Sequence, residues 1–256
     1  MYLTDSSTGL LLTLGFAILF KLCSFVIRSL CPIPENVVLH KKFERWFNIT
    51  VSLTHSCLAS MGCLFCFYLD SSLASKMRDG HSFTAVVVTY VSLGYFVHDL
   101  VHAIFYRKLS SAWEIIIHHI VVIVSFGVAV ILDVYVNFVI VSLLCEISSI
   151  FLHIRQLFNL GGIPPTSFVY RMNSLVNIVM YVLFRICTLA WMVRWLVLHR
   201  GVVPPMLHSI GTVGMAVMTV INIVLFARLL RKDYGNLIKS AKINTFTKNP
   251  EITKKC

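Results

Sequence analysis

Seven apolar stretches recur along the chain, and each is long enough to cross a lipid bilayer. A membrane-spanning helix needs about 20 apolar residues, and it hydrogen-bonds its own backbone because lipid tails offer no partners. The stretches cover residues 9–30, 47–69, 83–105, 113–132, 134–158, 168–198 and 207–230. They predict an all-α fold, a polytopic membrane helix bundle, with an antiparallel hairpin where the fourth and fifth stretches meet at Asp133.

The composition favours a membrane protein over a soluble one. Hydrophobic residues make up 57% of the chain, charged residues make up 13%, and the mean hydropathy is +0.82, whereas soluble domains carry about 25% charged residues. The formal net charge is +11. The basic residues concentrate at the ends of the apolar stretches and in the tail, where they set topology and meet anionic headgroups. Membrane lipids are therefore the expected partners, and nucleic acid is not.

The chain divides into three parts. Residues 1–39 predict an N-terminal transmembrane anchor and loop, because the N-terminus lacks the basic residues and cleavage-like site of a signal peptide. Residues 40–230 hold the other six helices as one domain. Residues 231–256 are polar and Lys-rich, which predicts a disordered, basic cytoplasmic tail.

The distribution of basic residues predicts the orientation. With the N-terminus outside, sixteen Lys and Arg residues fall on the cytoplasmic side and three on the opposite side. This bias predicts an extracellular N-terminus and a cytoplasmic C-terminus. The sequence favours no particular oligomeric state.

Ionisable residues inside the apolar stretches mark a candidate site. Such side chains are costly in hydrocarbon unless they pair or line a polar cavity, and they indicate function by default. The residues are His98, Asp99 and His102 in the third stretch, His118 and His119 in the fourth, Glu146 in the fifth and Arg185 in the sixth. We expect them to converge on a polar cavity in the cytoplasmic half of the bundle. Interhelical hydrogen bonds that only hold the helices together are the alternative.

Helical spacing refines this expectation, because residues three or four apart share a face. Two polar stripes follow this rule: Ser142, Glu146, Ser149 and His153 in the fifth stretch, and Asn177, Tyr181 and Arg185 in the sixth. Adjacent residues lie about 100° apart on a helix, so His118 and His119 cannot both face the cavity. Arg185 is expected to pair with Glu146 or Asp99.

These residue types suggest acyl-transfer chemistry. In a catalytic version of the cavity, His118 or His119 is the base or acyl carrier, Asp99 or Glu146 orients it, and Arg185 balances charge. Acyl-CoA is then a candidate substrate, and no resident cofactor is expected. The residues expected to line the cavity around a lipid or acyl chain are His98, His102, Ser149, Asn177, Tyr181 and Arg185.

A metal centre and a transporter are less favoured. The spacing of His98 and His102, with the pair His118–His119, is similar to the histidine boxes of membrane di-iron desaturases and hydroxylases. Those boxes include HxxHH elements, and this chain has neither such an element nor a third box, so no metal is expected. Proton-coupled transport would favour an internal repeat and Gly-broken half-helices, and neither is evident.

Several motifs together resemble the TLC domain, the membrane domain shared by ceramide synthases and translocation-associated membrane proteins. They are Gly94-Tyr95-Phe96-Val97-His98-Asp99, the run from Trp113-Glu114 to His118-His119, and Glu146-Ile147-Ser148-Ser149-Ile150-Phe151-Leu152. The resemblance covers about residues 40–230. With residues 48–56 including His55, 146–155 and 176–185, the chain resembles the calfacilitin-like branch in particular.

That branch resemblance implies a plasma-membrane protein, with the endoplasmic reticulum as the alternative location. It implies a role in phospholipid acyl composition and membrane fluidity, limiting fluidising polyunsaturated phospholipids, and leaves open whether the role is catalytic. In ceramide synthases the paired histidines and an Asp-x-x-Asp-x-x-Leu-Glu run belong to the acyl-transfer site. The histidines match here, but the acidic run reads Glu146, Ser149 and His153 at its acidic positions, which disfavours a sphingoid-base N-acyltransferase. An acyl-CoA-dependent lipid acyltransferase with another acceptor, and a non-catalytic scaffold that regulates a membrane-protein partner, remain as alternatives.

Overall fold

The computed structural model describes the backbone of residues 6–39, 42–106 and 109–248. It describes the side chains of these residues except those of 6, 109–112, 234 and 236–248. Within these residues the chain is helical and contains no strand, which confirms the predicted all-α class. The helices are α1 (Ser6–Leu30), α2 (Glu35–Leu39), α3 (Phe43–Leu69), α4 (Phe83–Tyr106), α5 (Leu109–Ile131), α6 (Val136–Leu143), α7 (Cys145–Gly161), α8 (Phe168–Tyr181), α9 (Thr188–Leu198) and α10 (Pro205–Lys248), with a 3₁₀ turn at Leu73–Ser75 and a π-helical segment at Val182–Cys187.

Seven candidate membrane spans confirm the predicted number. They are Ser7–Leu30, Phe43–Leu69, Phe83–Tyr106, Trp113–Ile131, Val136–Gly161, Phe168–Leu198 and Pro205–Asp233. The fifth span is built from α6 and α7, which meet at Leu144, and the sixth from α8, the π-helical segment and α9. Many of their apolar side chains are exposed, including Leu11 and Phe25 on α1, as expected for surfaces that meet lipid tails.

Because successive spans run in opposite directions, their connections lie on two faces of the bundle. We call the N-terminal face the one that holds the start of α1 and residues 70–82, 132–135 and 199–204. The C-terminal face holds residues 31–39 and 162–167 and the far end of α10. The basic residues at positions 41, 107, 108, 254 and 255, which contribute to the predicted orientation, lie outside the described residues.

The predicted hairpin between the fourth and fifth spans is present, and its turn lies at the N-terminal face. Asp133 and Tyr135 take left-handed backbone conformations (φ 57° and 61°), which lets the chain reverse within a few residues. The Tyr135 N–H donates to the carbonyl of Arg78 at 2.9 Å. His81 Nε2 lies 3.0 Å from Asp133 Oδ1. These contacts tie the turn to the loop that precedes α4.

Helix α4 lies at the centre of the packing and contacts α1, α3, α5 and α6. Its buried residues Tyr90 and Phe96 join Phe126 of α5, Ile140 of α6 and Met192 of α9 in one apolar core. The core therefore links the spans that also carry the ionisable residues.

The structure differs from the predicted disordered tail over residues 231–248, where α10 continues without a break to Lys248. Extending a formed helix by one residue costs far less than nucleating a new one. The added stretch contains Gly235 but no proline before Pro250, so no residue in it blocks continuation of the helix. Residues 249–256 lie outside the described part of the chain.

Candidate functional site

A cavity of about 160 Å³ lies among α5, α6, α9, α10 and the π-helical segment. His118, Glu146 and Arg185 line its polar end. From there the cavity extends towards the N-terminal face between apolar side chains, among them Val122, Phe126, Ala129, Leu189, Met192 and Met215. Tyr135 and Trp195 line the other end, with ring centroids 6.3 Å apart. The arrangement is an apolar channel with a charged end deep in the bundle.

This position differs from the predicted one. We expected a polar cavity in the half of the bundle that holds the start of α5, on the C-terminal face. The polar end does lie towards that half, but most of the wall is apolar and extends towards the N-terminal face. The hydropathy of α5 explains the difference, since Val122, Phe126 and Ala129 follow His118 on the same helical face.

The two adjacent histidines diverge as helical geometry requires. His118 lines the cavity. His119 is 6% exposed, and its Nδ1 lies 3.5 Å from Asp99 Oδ2 behind the cavity wall. Asp99 is 4% exposed, and its Oδ1 accepts a 2.8 Å hydrogen bond from Asn48 Nδ2. The imidazole of His119 thus lies next to that of His118 on the far side of the wall, and the carboxylate of Asp99 lies beside it.

Glu146 is engaged from the side of α3. Its Oε2 accepts a 2.6 Å hydrogen bond from Ser56 Oγ and lies 4.0 Å from His55 Nδ1. His55 is fully buried and stacks on Tyr95, with ring centroids 3.8 Å apart. The sequence reasoning named His55 only within the family motifs and missed its contact with Glu146. The signal was the run of polar residues on one face of α3, at 48, 52, 55 and 56.

Arg185 has other partners than the predicted carboxylates. Its Nε donates to Ser148 Oγ at 2.7 Å, and its Nη2 donates to Ser149 Oγ at 2.6 Å. Its Nη1 donates to Asn222 Oδ1 at 2.9 Å. The expected pairing with Glu146 or Asp99 is therefore wrong. Arg185 lies within the π-helical segment, and its side chain contacts α7 and α10. Such segments are often found at functional sites.

Several predicted lining residues lie elsewhere. His102 Nε2 lies 3.9 Å from Glu44 Oε2, and its ring stacks on Tyr106. Ser149 sits behind the wall and holds Arg185. The remaining predicted lining residues, which also do not line this cavity, are His98, Asn177 and Tyr181. Helix α8 packs on α7 and α10, so its polar stripe faces those helices and reaches the cavity only at Arg185.

A second apolar groove lies between α1, α3 and α4 and has a volume of about 410 Å³. Among the described residues, no acidic, basic or imidazole side chain lines it; its polar side chains are Cys23 and Thr54. This groove therefore lacks groups for acid–base or ionic chemistry. The cavity that His118, Glu146 and Arg185 line is the candidate functional site.

Comparison with known proteins finds a matching family model and several similar proteins. Residues 45–231 match the family model described as the TLC domain. The chain is 40% identical over 227 residues to TLC domain-containing protein 2 of Danio rerio, with 88% of this chain and 91% of the relative covered. It is 33% identical over 226 residues to the human protein of the same name (88% and 84% covered). It is also 33% identical over 202 residues to TLC domain-containing protein 1 of Gallus gallus (78% and 78% covered).

Proposed function

This chain belongs to the TLC-domain family, and we propose that it holds the acyl chain of a membrane lipid in the cavity between α5 and α10. In this proposal the protein regulates the acyl-chain composition of membrane phospholipids and limits the polyunsaturated species that raise fluidity. It is a multi-pass membrane protein. We propose the plasma membrane as its location, with the N-terminus outside and the C-terminus in the cytoplasm, as the bias of basic residues favours.

The observation that carries the proposal is the apolar channel with one polar end. Ligand sites are mostly apolar clefts with a few placed polar groups, and this cavity has that composition. Its volume of about 160 Å³ is close to the roughly 150 Å³ of a cavity that holds benzene. The enclosed part therefore suits a segment of one alkyl chain better than the body of a two-chain phospholipid. The resemblance to the calfacilitin-like branch supports the same class of ligand.

A lipid acyltransferase is the second candidate, favoured by the geometry of the paired histidines. His118 on the wall is positioned to take a proton from an acceptor hydroxyl or to carry an acyl group. His119 and Asp99, 3.5 Å apart, lie next to it on the other side of the wall. In this version acyl-CoA is the donor and a lysophospholipid is a suitable acceptor. The acceptor hydroxyl forms the new ester bond as the thioester C–S bond breaks, and CoA leaves as the thiol with the proton that His118 took from the hydroxyl. A non-catalytic scaffold that acts through a membrane partner is the rival from another class.

Replacing both histidines distinguishes catalysis from scaffolding. In cells lacking the protein, we expect the double variant His118→Gln, His119→Gln to leave the phospholipid acyl profile as it is in those cells. Gln retains polarity, so interhelical hydrogen bonds persist, but it neither titrates nor acts as a nucleophile. The measurement is phospholipid mass spectrometry at matched surface expression. His208→Gln on α10, outside the cavity wall, is the control and should restore the normal profile. A normal profile with the double variant would exclude the acyltransferase.

Filling the cavity tests the binding proposal directly. Ala129 is buried on the cavity wall, and Ala129→Phe places a ring in the apolar channel. We expect the amount of lipid that co-purifies with the protein in mild detergent to fall about tenfold or more. An alkyl chain could enter only by displacing the ring, which would weaken its binding by on the order of 1–3 kcal/mol. Ile131→Phe, at an exposed position of the same helix, is the matched control. Equal amounts of bound lipid in the two variants would argue against an occupied cavity.

A further inference from the structure

Arg185 offers unused hydrogen-bond donors at the polar end of the cavity. A guanidinium carries five N–H groups, and the bonds to Ser148, Ser149 and Asn222 use one on each nitrogen. At most two N–H groups remain, one on Nη1 and one on Nη2, and the hydroxyl of Tyr181 also interacts with the guanidinium. Arg185 lines the cavity, so an N–H that Tyr181 does not engage is available to a molecule inside it.

The positive charge of Arg185 has no carboxylate in contact within the described residues. Arg28, Arg155 and Arg228 each lie within 4 Å of a carboxylate oxygen, whereas the three oxygens that accept from Arg185 belong to neutral side chains. The carboxylate of Glu146 at the same end of the cavity attracts the guanidinium only from beyond contact distance. A ligand oxyanion that reached Arg185 would therefore add the direct charged contact that Glu146 does not make.

Glu146 also lines the polar end, but its Oε2 is directed towards α3. That oxygen accepts from Ser56 at 2.6 Å and lies 4.0 Å from His55 Nδ1. The partners of Arg185 come instead from α7 and α10. The Glu146 carboxylate and the Arg185 guanidinium thus have different hydrogen-bond partners. They form no direct ion pair that a ligand would have to break.

The guanidinium is also held in position before any ligand arrives. Three helical segments fix it: α7 through its two serines, α10 through Asn222, and its own π-helical segment. Tyr181 strengthens the arrangement, since its hydroxyl donates to Asn222 and its ring lies 5.2 Å from Arg185 Cζ. A preorganised fork loses little entropy when it binds a planar or tetrahedral oxyanion.

Building on the proposed acyl-chain site, we propose that Arg185 binds the oxyanion of a single-chain amphiphile. The alkyl chain lies along the apolar wall, and the carboxylate of a fatty acid or the phosphate of a lysophospholipid accepts a charge-assisted hydrogen bond from the guanidinium of Arg185. His118 lines the same end and therefore lies close to the polar group of the ligand.

The test measures binding of three oleyl probes to the purified full-length protein in detergent at pH 7.4. The probes are radiolabelled oleic acid, oleyl alcohol and 1-oleoyl lysophosphatidic acid, and oleyl alcohol has the same chain without a charge. We expect Arg185→Gln to weaken the binding of at least one anionic probe about tenfold to a hundredfold, the loss of a charge-assisted hydrogen-bonded pair. Oleyl alcohol should bind both proteins equally. Arg194→Gln, at an exposed position on α9, should change no affinity.

Each outcome decides the inference. A loss confined to oleic acid supports a carboxylate ligand, and a loss confined to lysophosphatidic acid supports a phosphate. Unchanged affinity for both anions would overturn the role of Arg185, while binding of oleyl alcohol would leave the proposed acyl-chain site intact. Failure of all three probes to bind the unmodified protein would instead remove the acyl-chain site itself. If Arg185→Gln does not fold, equal affinity of the unmodified protein for oleic acid, lysophosphatidic acid and oleyl alcohol would overturn the inference, and tighter binding of an anion would support it.

Discussion

Replacing Arg155 by Met is expected to lower the free energy of unfolding by about 3–5 kcal/mol, the cost of leaving a buried charge without its partner. Arg155 is 4% exposed on α7, and its Nη2 forms an ion pair with Asp233 of α10. Its Nε lies 3.4 Å from the hydroxyl of Tyr170 on α8. Met keeps much of the length of the side chain but removes the charge, so the partly buried carboxylate of Asp233 loses its partner.

A more exposed ion pair provides the control. Arg28 Nη2 on α1 lies 2.6 Å from Glu44 Oε2 on α3, and the two side chains are 36% and 45% exposed. Such pairs contribute about 0–1 kcal/mol, so Arg28→Met should change stability little. The double variant Arg155→Met, Asp233→Leu should recover much of the loss, because it removes both charges. The measurement is thermal unfolding in detergent followed by tryptophan fluorescence. Equal destabilisation by Arg155→Met and Arg28→Met would show that burial does not increase the contribution of the Arg155–Asp233 pair to stability.

The Arg155–Asp233 pair also bears on the candidate site. It joins α7 to α10 near the C-terminal face, and Arg185 joins the same two helices deeper in the bundle through Ser148 and Asn222. Loosening α7 from α10 at one end should widen the spacing that fixes the guanidinium. We therefore expect Arg155→Met to weaken lipid binding as well as stability.

The spans were predictable from the sequence because lipid imposes a simple rule. Each span must satisfy its own backbone, so length and hydropathy suffice to find it. The break at Leu144 and the π-helical segment at Val182–Cys187 carry no comparable signal. Both depend on what the neighbouring helices offer, and hydropathy does not encode that. The continuation of α10 to Lys248 was missed because a polar composition fits both a disordered tail and a helix that extends from a stable span.

The site was only partly predictable, for a similar reason. Ionisable residues in apolar stretches pointed to His118, Glu146 and Arg185, and these three share the end of one cavity. Their partners escaped notice because they are neutral, such as Ser56 and Asn222, which attract no attention in a membrane span. Spacing showed that the paired histidines diverge, but the packing of α4 against α5 decided which of them faces Asp99.

Adding a single methyl group at Gly94 is expected to destabilise the packing of α1 on α4. A Cβ at this position would lie 2.4 Å from Phe16 Cβ and 2.9 Å from the backbone nitrogen of Ala17. Backbone atoms of a helix cannot turn aside as the end of a side chain can, so α1 must move away. We expect Gly94→Ala to lower the free energy of unfolding by about 1–3 kcal/mol, the usual cost of overpacking, although Ala is intrinsically the better helix former.

Gly127 on α5 isolates that intrinsic effect, since a Cβ there would meet nothing within 4 Å. Gly127→Ala should therefore stabilise the protein by up to about 1 kcal/mol, and the two substitutions should change the unfolding temperature in opposite directions. Because α1 contributes no residue to the cavity wall, Gly94→Ala should leave the co-purifying lipid unchanged, unlike Arg155→Met. If Gly94→Ala instead stabilised the protein, α1 could not lie as close to Gly94 as the contacts with Phe16 and Ala17 indicate. Loss of lipid in that variant would mean that docking of α1 holds the cavity together from a distance.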